Sequence, residues 1–336
     1  MNKKIGVFIA GRLASERLPN KLILPILDTC LWEKALQNLS ALPSTVDKYA
    51  LCTDDALLEL ARAYPSVKVI RRDPETCKVD GPLTYIFKDL KDLTNTHLMF
   101  LNPCLFYLTP TTLTDALEAF QKSSKEYATS VKTFSNWLFE PSGKALMPIN
   151  YERLTTKEII PAYQAAHCFH IFNKEQFFDD GQMLKDDFMQ LEVPENETVD
   201  VDTESDYKLL LYLEEQRQKD EMRYKIDSYF KRGLPVHVVD IDDTICSHNP
   251  MKYEEAQPIV ENIDYFNTLY DHGDLVIYST ARGYIYSDDQ LYQLTKNQLR
   301  KWGVKHHYLL VGAKLPASYY WDDKAINVKE FFQEAL

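Results

Sequence analysis

The sequence predicts an α/β protein of two domains, in each of which helices flank a mostly parallel β-sheet. Short apolar, β-branched runs alternate with amphipathic helical patterns, which is typical of βαβ units. A length of 336 residues suits two domains better than one. A strongly polar stretch at 214–221, "EEQRQKDE", interrupts the alternation before a new apolar run begins at Leu234. We therefore expect domains at 1–213 and 233–336, joined by a helical linker at 214–232.

The first domain carries its predicted strands and helices in a regular order. The strand-like runs are "KIGVFIAG" (4–11), "KYALCTDD" (48–55), "VKVIRRD" (67–73), "HLMFLNPC" (97–104), "YATSVKTFS" (127–135) and "AAHCFHIFN" (165–173). The helical patterns are "LWEKALQNLSAL" (31–42), "ALLELARAY" (56–64), "PLTYIFKDLKDL" (82–93) and "TTLTDALEAFQKS" (111–123). A last helical pattern opens at Thr203 and Asp206, which have capping-box spacing, and stops at Gly233.

Composition excludes several classes of protein. A hydrophobic content of 45% is ample for packed cores and argues against disorder. The net charge of −12, with no basic stripe, argues against nucleic-acid binding. Six scattered cysteines without a CxxC pair predict buried, reduced thiols rather than disulfides or a zinc site. No run approaches the roughly 20 apolar residues of a membrane span, and the first apolar run suits a strand better than a signal peptide. We expect a cytoplasmic protein.

The second domain places polar residues after successive apolar runs. The segments are "DIDDT" (240–244), "VIYSTARG" (276–283), "VGAKLP" (311–316) and "YYWDDKAIN" (319–327). Since the carboxyl ends of parallel strands meet at one edge, we expect these residues to gather there. Asp240 can attack phosphorus and bind a metal, and Asp242 can protonate the leaving oxygen. Thr280 and Lys314 can hold phosphoryl oxygens, and Asp322 or Asp323 adds a ligand for Mg²⁺. By itself, "DIDDT" also fits a calcium-like or capping cluster.

In this order the four segments resemble the haloacid dehalogenase superfamily of phosphatases, over residues 235–336. The resemblance implies a Rossmann-like domain with Asp240 as nucleophile, Asp242 as acid/base, and Thr280 and Lys314 as phosphate-binding residues. It also implies Mg²⁺ at four carboxylates: Asp240, Asp242, Asp322 and Asp323. Only 35 residues separate Thr244 from Thr280, which leaves no room for a large cap domain. "TARG" with "DDKAIN" is most similar to small phosphatases of capsule and surface-sugar loci. A silent phosphatase fold is the alternative.

A basic loop follows the first predicted strand. "AGRLASERLPNKLILPI" (10–26) sets Arg12, Arg17 and Lys21 at the edge where α/β sheets bind ligands. That placement suits the binding of a nucleoside triphosphate, although a loop with a single glycine does not match the glycine-rich Walker loop. A solvated basic loop is the alternative interpretation.

This loop resembles the opening motif, RxxSxRLPxK, of the cytidylyltransferase family that activates sialic acid and 3-deoxy-octulosonate. "CTDD" (52–55), "NPCLFYLTPTTL" (102–113) and "VDVDTESDY" (199–207) follow in that family's order, so the resemblance spans about residues 4–212. It implies a nucleotidyltransferase domain that binds the nucleotide CTP. The implied nucleotide-binding residues are Arg12, Ser15, Arg17, Lys21 and Asn102, and the implied Mg²⁺ ligands are Asp200 and Asp202. Asp202 also fits a simple role at the start of the following helix.

Two positions depart from that family's pattern. Glu16 stands where many members have a lysine, and Thr155 stands where an arginine contacts the carboxylate of the sugar acid. We therefore expect an acceptor other than sialic acid: another acid, a sugar or a phosphorylated alcohol.

Two functions fit the whole chain. The first is a bifunctional enzyme of surface-glycan precursors, which combines an Mg²⁺-dependent phosphatase with a CTP-dependent cytidylyltransferase. The second is a phosphatase alone, with a degenerate first domain that serves as a binding or assembly module. A homo-oligomer is compatible with the sequence.

Overall fold

The computed structural model describes residues 3–77, 81–149, 151–153, 162–247, 252–284, 289–314, 326–328, 330 and 331. The chain divides into two compact units, Met1–Glu214 and Glu215–Leu336. The first unit confirms the predicted α/β class, with a mostly parallel sheet flanked by helices. None of the helices in the described part has the length and apolar composition that a bilayer crossing requires.

The first unit contains one sheet of seven described strands in the order β3-β2-β1-β4-β6-β5-β7. Its strands are β1 (Ile5–Ala10), β2 (Asp47–Cys52), β3 (Lys68–Arg71), β4 (His97–Leu101), β5 (Ala128–Phe134), β6 (Ala162–Asn173) and β7 (Met189–Glu192). Its helices are α1 (Leu31–Ala41), α2 (Asp55–Arg62), α3 (Leu83–Ile86), α4 (Pro110–Lys122) and α5 (Lys174–Asp180). Only β6 runs against the other strands in this sheet of described strands.

Strand β1 lies between β2 and β4 and is apolar on both faces. Val7 and Ile9 belong to the core on one face, whereas Phe8 belongs to an aromatic core on the other. A strand that is covered on both sides needs apolar residues at every position, which explains the unbroken run of the sequence. The ends of β1, β2 and β4 therefore lie in a rigid frame.

The segment 82–93, predicted as one helix, is broken in the structure. It forms the four-residue helix α3 and a short 3₁₀ turn at Lys88–Leu90. Phe87, with φ of −107°, separates the two and is buried with Leu90 in the aromatic core. Burial of these two side chains outweighs the helical preference of the segment.

A long helix, α6 (Glu204–Lys231), begins in the first unit and ends in the second. Its predicted capping box is present, because the Asp206 carboxylate accepts from the Thr203 backbone N–H at 2.8 Å and Thr203 Oγ1 accepts from the Asp206 N–H at 3.3 Å. Met222 and Ile226 pack against the core of the second unit. Residues 215–231 are therefore part of that unit, rather than the linker that their polarity suggests.

The second unit contains a three-stranded parallel sheet in the order β10-β9-β8 within the described residues. Its strands are β8 (Val236–Val239), β9 (Leu275–Thr280) and β10 (Tyr308–Val311), and its helices are α7 (Val260–Asp271) and α8 (Asp289–Lys301). A core that includes Val276, Tyr278 and Leu299 covers one face, and α6 covers the other. All three strands end at the same edge.

The six cysteines are buried free thiols. Burial raises the pKa of Cys104 to about 11 and that of Cys52 to about 12. Both thiols therefore stay protonated and unreactive at neutral pH.

Two partly buried histidines make the second unit sensitive to acid. Burial lowers the pKa of His306 and His307, and nearby Lys225 adds to the effect at His307. The Val276 N–H donates to His307 Nδ1 at 3.2 Å, and a protonated ring cannot accept this bond. The unfolded chain therefore binds more protons than the native one. The stabilisation is complete above the unfolded pKa of about 6.5 and is lost as the pH falls below it.

We expect the protection of β9 and β10 against hydrogen exchange to fall between pH 7.5 and 5.5, after correction for intrinsic rates. His307→Asn keeps a δ-position acceptor that does not titrate, so its protection should fall less. His272→Asn changes an exposed histidine and serves as the control. An equal fall in the wild type and His307→Asn would contradict the assignment.

Candidate active site

The basic loop leaves β1 by a turn that needs glycine. A Cβ at Gly11 would lie 2.7 Å from Trp32 Cζ3 and 2.9 Å from Leu22 Cδ1, so a larger residue would displace the core. The loop closes on itself, since both Ser15 and Asn20 donate backbone N–H groups to the carbonyl of Leu13. These bonds fix the loop at the carboxyl edge of the sheet.

A cleft of about 450 Å³ lies between this loop and the segments after β2 and β3. Its lining residues are Arg12, Ala14, Ser15, Glu16, Thr53, Asp54, Pro74 and Cys77. Arg12 Nη1 donates to the Cys77 carbonyl at 2.9 Å, and the Leu13 N–H donates to Asp54 Oδ2 at 3.3 Å. Two of the predicted nucleotide-binding residues, Arg12 and Ser15, therefore line one cleft. Glu16 lines it too and forms no ion pair with any described residue.

The other two cations of the loop meet the segment before α6. Lys21 Nζ lies 2.7 Å from Asp202 Oδ1, and Arg17 Nη2 lies 2.9 Å from Asp202 Oδ2. Arg17 is largely exposed, whereas only 15% of the Lys21 side chain is exposed. Burial alone would lower the pKa of Lys21, but its contacts with Cys104 and Asp202 raise it. The structure thus brings together residues that are 181 positions apart.

Asp200 lies beside Asn102, the residue that follows the end of β4. Asn102 Nδ2 donates to Asp200 Oδ2 at 3.3 Å and to the His167 carbonyl at 3.2 Å. Asp200 Oδ1 is buried and has no hydrogen-bond partner among the described residues. Burial raises the pKa of Asp200, and the neighbouring Asp202 raises it further. A buried carboxylate oxygen without a donor is costly unless a cation compensates it.

The pair of carboxylates fits Mg²⁺ that arrives with phosphates. Mg²⁺ prefers oxygen ligands and is commonly held by one or two carboxylates together with substrate phosphates and water. Asp200 offers its unpartnered oxygen, and Asp202 is close enough to raise the pKa of Asp200. The described part of the chain contains no group of three or more His, Cys, Asp or Glu able to form a complete protein cage.

His167 is a site residue that sequence reasoning misses. Its φ is 54°, a left-handed conformation that is uncommon for histidine, and it lies where the pairing of β5 with β6 shifts register. Ser130 Oγ accepts the N–H groups of Cys168 and Phe169 across this irregularity. The distortion aims the His167 carbonyl at Asn102, and no feature of the sequence indicates it.

A second polar cluster lies at the carboxyl edge of the three-stranded sheet. Asp240 follows β8, Thr280 ends β9 and Lys314 follows β10. Lys314 Nζ donates to Asp240 Oδ2, and the Lys314 N–H lies 3.4 Å from the Thr280 carbonyl. Three of the predicted phosphatase residues are therefore brought together.

A glycine allows the close approach of two segments in this cluster. Gly312 has φ of 71°, and a Cβ there would lie 3.4 Å from the Gly283 carbonyl group. The segment that carries Lys314 can therefore approach the "TARG" segment.

Asp242 pairs with Arg282, to which no sequence motif assigned a role. Its two carboxylate oxygens accept from Arg282 Nε at 2.8 Å and from Arg282 Nη2 at 2.5 Å. Arg282 stands two residues after Thr280, and that position after a strand is the signal that points to the same edge. The other predicted ligands, Asp322 and Asp323, and the acceptor-site position Thr155 lie outside the described residues.

Comparison with known proteins concerns mainly the first unit. No curated protein sequence matches the chain. The solved structure of CMP:2-keto-3-deoxy-manno-octonic acid synthetase complexed with CTP is 15% identical with a TM-score of 0.48, and the match covers 64% of this chain and 99% of that one. A 4-diphosphocytidyl-2C-methyl-D-erythritol synthase from Anaerococcus prevotii is 10% identical with a TM-score of 0.47, covering 63% and 96%. A cytidylyltransferase from Leptospira borgpetersenii is 18% identical with a TM-score of 0.42, covering 62% and 85%.

A family model described as Cytidylyltransferase matches residues 7–224, from β1 into α6. The matched segment contains the basic loop, the cleft, Asn102 and both carboxylates opposite the loop. Since it spans well over half of the 336 residues, the protein belongs to the cytidylyltransferase family.

Proposed function

We propose that the first unit transfers a cytidylyl group from CTP to an oxygen of a small sugar, sugar acid or polyol phosphate, in the synthesis of a surface-glycan precursor. The acceptor oxygen attacks the α-phosphorus, the bond to the bridging oxygen breaks, and pyrophosphate leaves. The acceptor proton passes to solvent. The observation that carries this proposal is the meeting of Arg17 and Lys21 with Asp202, beside the unpartnered oxygen of Asp200.

The residues of the chain take distinct roles in this proposal. Arg12 and Ser15 line the cleft that would hold the nucleotide, and Arg17 and Lys21 would bind the phosphates. Mg²⁺, when bound at Asp200 and Asp202, supplies positive charge that offsets the charge of the triphosphate. Without the nucleotide, Asp202 forms an ion pair with each of the two cations, which holds the loop in place before the phosphates arrive.

Glu16 weakens the triphosphate site in this account. Its exposed carboxylate lines the same cleft as Arg12 and Ser15. A carboxylate repels the phosphate oxygens, and water and salt screen this repulsion at an exposed position. We therefore propose a catalytically competent site with a modest affinity for CTP, rather than a degenerate module.

Binding measurements with loop variants test this site. Lys21→Ala removes a charge-assisted contact of roughly 1.5–3 kcal/mol, which corresponds to about 10- to 100-fold in affinity for CTP. Arg17→Ala should lose less, because its exposed guanidinium is more strongly screened. The loss should be larger for CTP than for CMP, which offers one phosphate, and Glu16→Lys should tighten CTP binding. Calorimetry with Mg²⁺ present measures the affinities of the wild type and the three variants for CTP and for CMP.

An exposed lysine on α4 supplies the control, since Lys122→Ala leaves the cleft unchanged. Equal losses for CTP and CMP in Lys21→Ala would contradict the assignment of Lys21 to the triphosphate. Tighter CTP binding by Glu16→Lys distinguishes a carboxylate that faces the phosphates from one that only faces solvent.

We further propose that the second unit hydrolyses a sugar or polyol phosphate with the aid of Mg²⁺, which makes the protein bifunctional. The observation that supports this is the convergence of Asp240, Thr280 and Lys314 from the ends of three parallel strands. A carboxylate, a hydroxyl and a cation at one strand edge are the groups that phosphoryl transfer requires. Mg²⁺ bound near Asp240 would offset the charge of the phosphoryl group.

The proposed reaction has two steps. Asp240 attacks the phosphorus, the ester bond breaks, and the leaving oxygen takes a proton from Asp242. Water then attacks the acyl phosphate while Asp242 takes back a proton, so that inorganic phosphate leaves and the Asp240 carboxylate is restored. Lys314, which contacts Asp240, offsets the charge on the phosphoryl oxygens. Phosphate and pyrophosphate are distinct products, so measuring them separately tests the two activities independently.

A further inference from the structure

The Arg282 side chain is buried at the carboxyl edge of the three-stranded sheet. Each of its three nitrogens contacts a hydrogen-bond acceptor. Only 1% of the side chain is exposed. Its Nε and Nη2 donate to the two oxygens of Asp242, as a fork that grips the carboxylate. Nη1 donates to Gln298 Oε1 at 2.7 Å and contacts Thr295 Oγ1 at 3.5 Å, and Nη2 also contacts Cys246 Sγ at 3.4 Å. The guanidinium is therefore fixed from both sides.

We infer that Arg282 is a positioning residue for phosphate-ester hydrolysis, which sets the orientation of the Asp242 carboxylate. This inference rests on the phosphatase function proposed above for the second unit. Asp242 lies two residues after Asp240, so its backbone is held close to the reacting phosphoryl group. A rotation of the Asp242 side chain would still change the distance between its carboxylate and the leaving oxygen. Proton transfer needs the donor within about 2.6–3.2 Å of its target, and small misplacements are costly.

The surroundings hold the guanidinium more rigidly than an ion pair alone would. The ring of Tyr253 lies 4.9 Å from the Arg282 guanidinium carbon and stacks on its flat side. Gln298 itself donates to the Tyr253 carbonyl at 2.5 Å. The Arg282 backbone N–H donates to Thr280 Oγ1 at 3.2 Å, so one residue orients both Asp242 and Thr280.

Energetics also favour a positioning role over simple stabilisation. A buried ion pair gains little stability over apolar residues of the same volume, because both charges lose their hydration. This pair lies at the ligand-binding edge with Asp240 and Lys314 rather than in the apolar core. Lysine carries the same charge but cannot supply two parallel hydrogen bonds to one carboxylate. Asp242 is therefore oriented by the two parallel hydrogen bonds from Arg282 and not by its positive charge alone.

Steady-state kinetics of the full-length protein test this, with p-nitrophenyl phosphate and glycerol phosphate as substrates in the presence of Mg²⁺. With glycerol phosphate, Arg282→Lys should lower kcat by about 10- to 100-fold and change KM by less than about threefold, because it disturbs proton transfer rather than binding. The loss should be smaller with p-nitrophenyl phosphate, because p-nitrophenolate leaves without a proton. In an Asp242→Asn background the same substitution should cost nothing further, since its effect passes through Asp242. Arg300→Lys, on the exposed face of α8, should behave as wild type.

Two results would overturn the inference. One is an Arg282→Lys variant with wild-type kcat, and the other is a full additional loss in the Asp242→Asn background. If Arg282→Lys does not fold, Gln298→Ala loosens the guanidinium while the pair stays intact. It should lower kcat several-fold at constant KM, and an unchanged kcat would count against the inference. A wild type that releases no phosphate from either substrate would instead refute the phosphatase function itself.

Discussion

Replacing Asp240 with Asn is expected to lower phosphate release by at least about 1,000-fold, because an amide cannot attack phosphorus. The fold should survive, since the amide oxygen can still accept from one of the two present donors, either Lys314, which donates to Asp240 Oδ2, or the Ile241 N–H, which donates to Oδ1 at 2.9 Å. The measurement is release of inorganic phosphate from p-nitrophenyl phosphate with Mg²⁺. Circular dichroism of the same sample checks the fold.

A neighbouring surface carboxylate provides the control for that experiment. Asp264 lies exposed on α7, and Asp264→Asn should hydrolyse phosphate esters at the wild-type rate. Residual activity in Asp240→Asn close to the wild-type value would remove Asp240 as nucleophile. The convergence of Asp240 with Lys314 would then be a structural ion pair.

Asp200→Asn is expected to lower cytidylyl transfer without lowering the thermal stability of the protein. It removes the buried carboxylate oxygen proposed to hold Mg²⁺, so pyrophosphate release should fall by at least about 100-fold. Burial raises the pKa of Asp200, which means that the charged form is disfavoured in the folded protein. Removal of that charge should therefore leave the melting temperature at neutral pH unchanged or higher.

The control for Asp200→Asn is Asp115→Asn on the exposed face of α4, which should alter neither quantity. A variant at Asp200 that loses activity because it unfolds would show a lower melting temperature. That outcome would assign Asp200 to the fold rather than to the metal. Wild-type rates of pyrophosphate release would remove Asp200 as a ligand.

Much of the fold follows from local patterns in the sequence. The unbroken apolar runs of β1, β2 and β4 predict a parallel sheet covered on both faces, and the polar residues after them predict the ligand edge. The prediction of one helix at 82–93 is wrong because the helical preference of the segment is weaker than the gain from burying Phe87 and Leu90. The second half of α6 is polar enough to suggest a linker, yet a few apolar side chains on one face suffice to pack it.

Tertiary contacts of the sites could be predicted only in part. The family resemblance implies that Asp202 belongs to the same site as Arg17 and Lys21, although 181 residues separate Lys21 from Asp202. No sequence pattern shows that His167 adopts a positive φ, because that conformation depends on how the β5–β6 irregularity packs.

The position of Arg282 could be predicted from the sequence, but its partner could not. Its place after β9 predicts the correct edge of the sheet, but its two hydrogen bonds to Asp242 join residues that are 40 positions apart. No local pattern identifies Asp242 as the partner of Arg282.

The central claim is that the first unit is a working cytidylyltransferase site. The most direct measurement incubates the wild-type protein with CTP, Mg²⁺ and a panel of sugars, sugar acids and polyol phosphates, and follows pyrophosphate separately from phosphate. We expect pyrophosphate to appear with at least one acceptor, in equal amount to a cytidylylated product, and not to appear without an acceptor. Failure to bind CTP at millimolar concentration, together with no pyrophosphate from any acceptor, would contradict it.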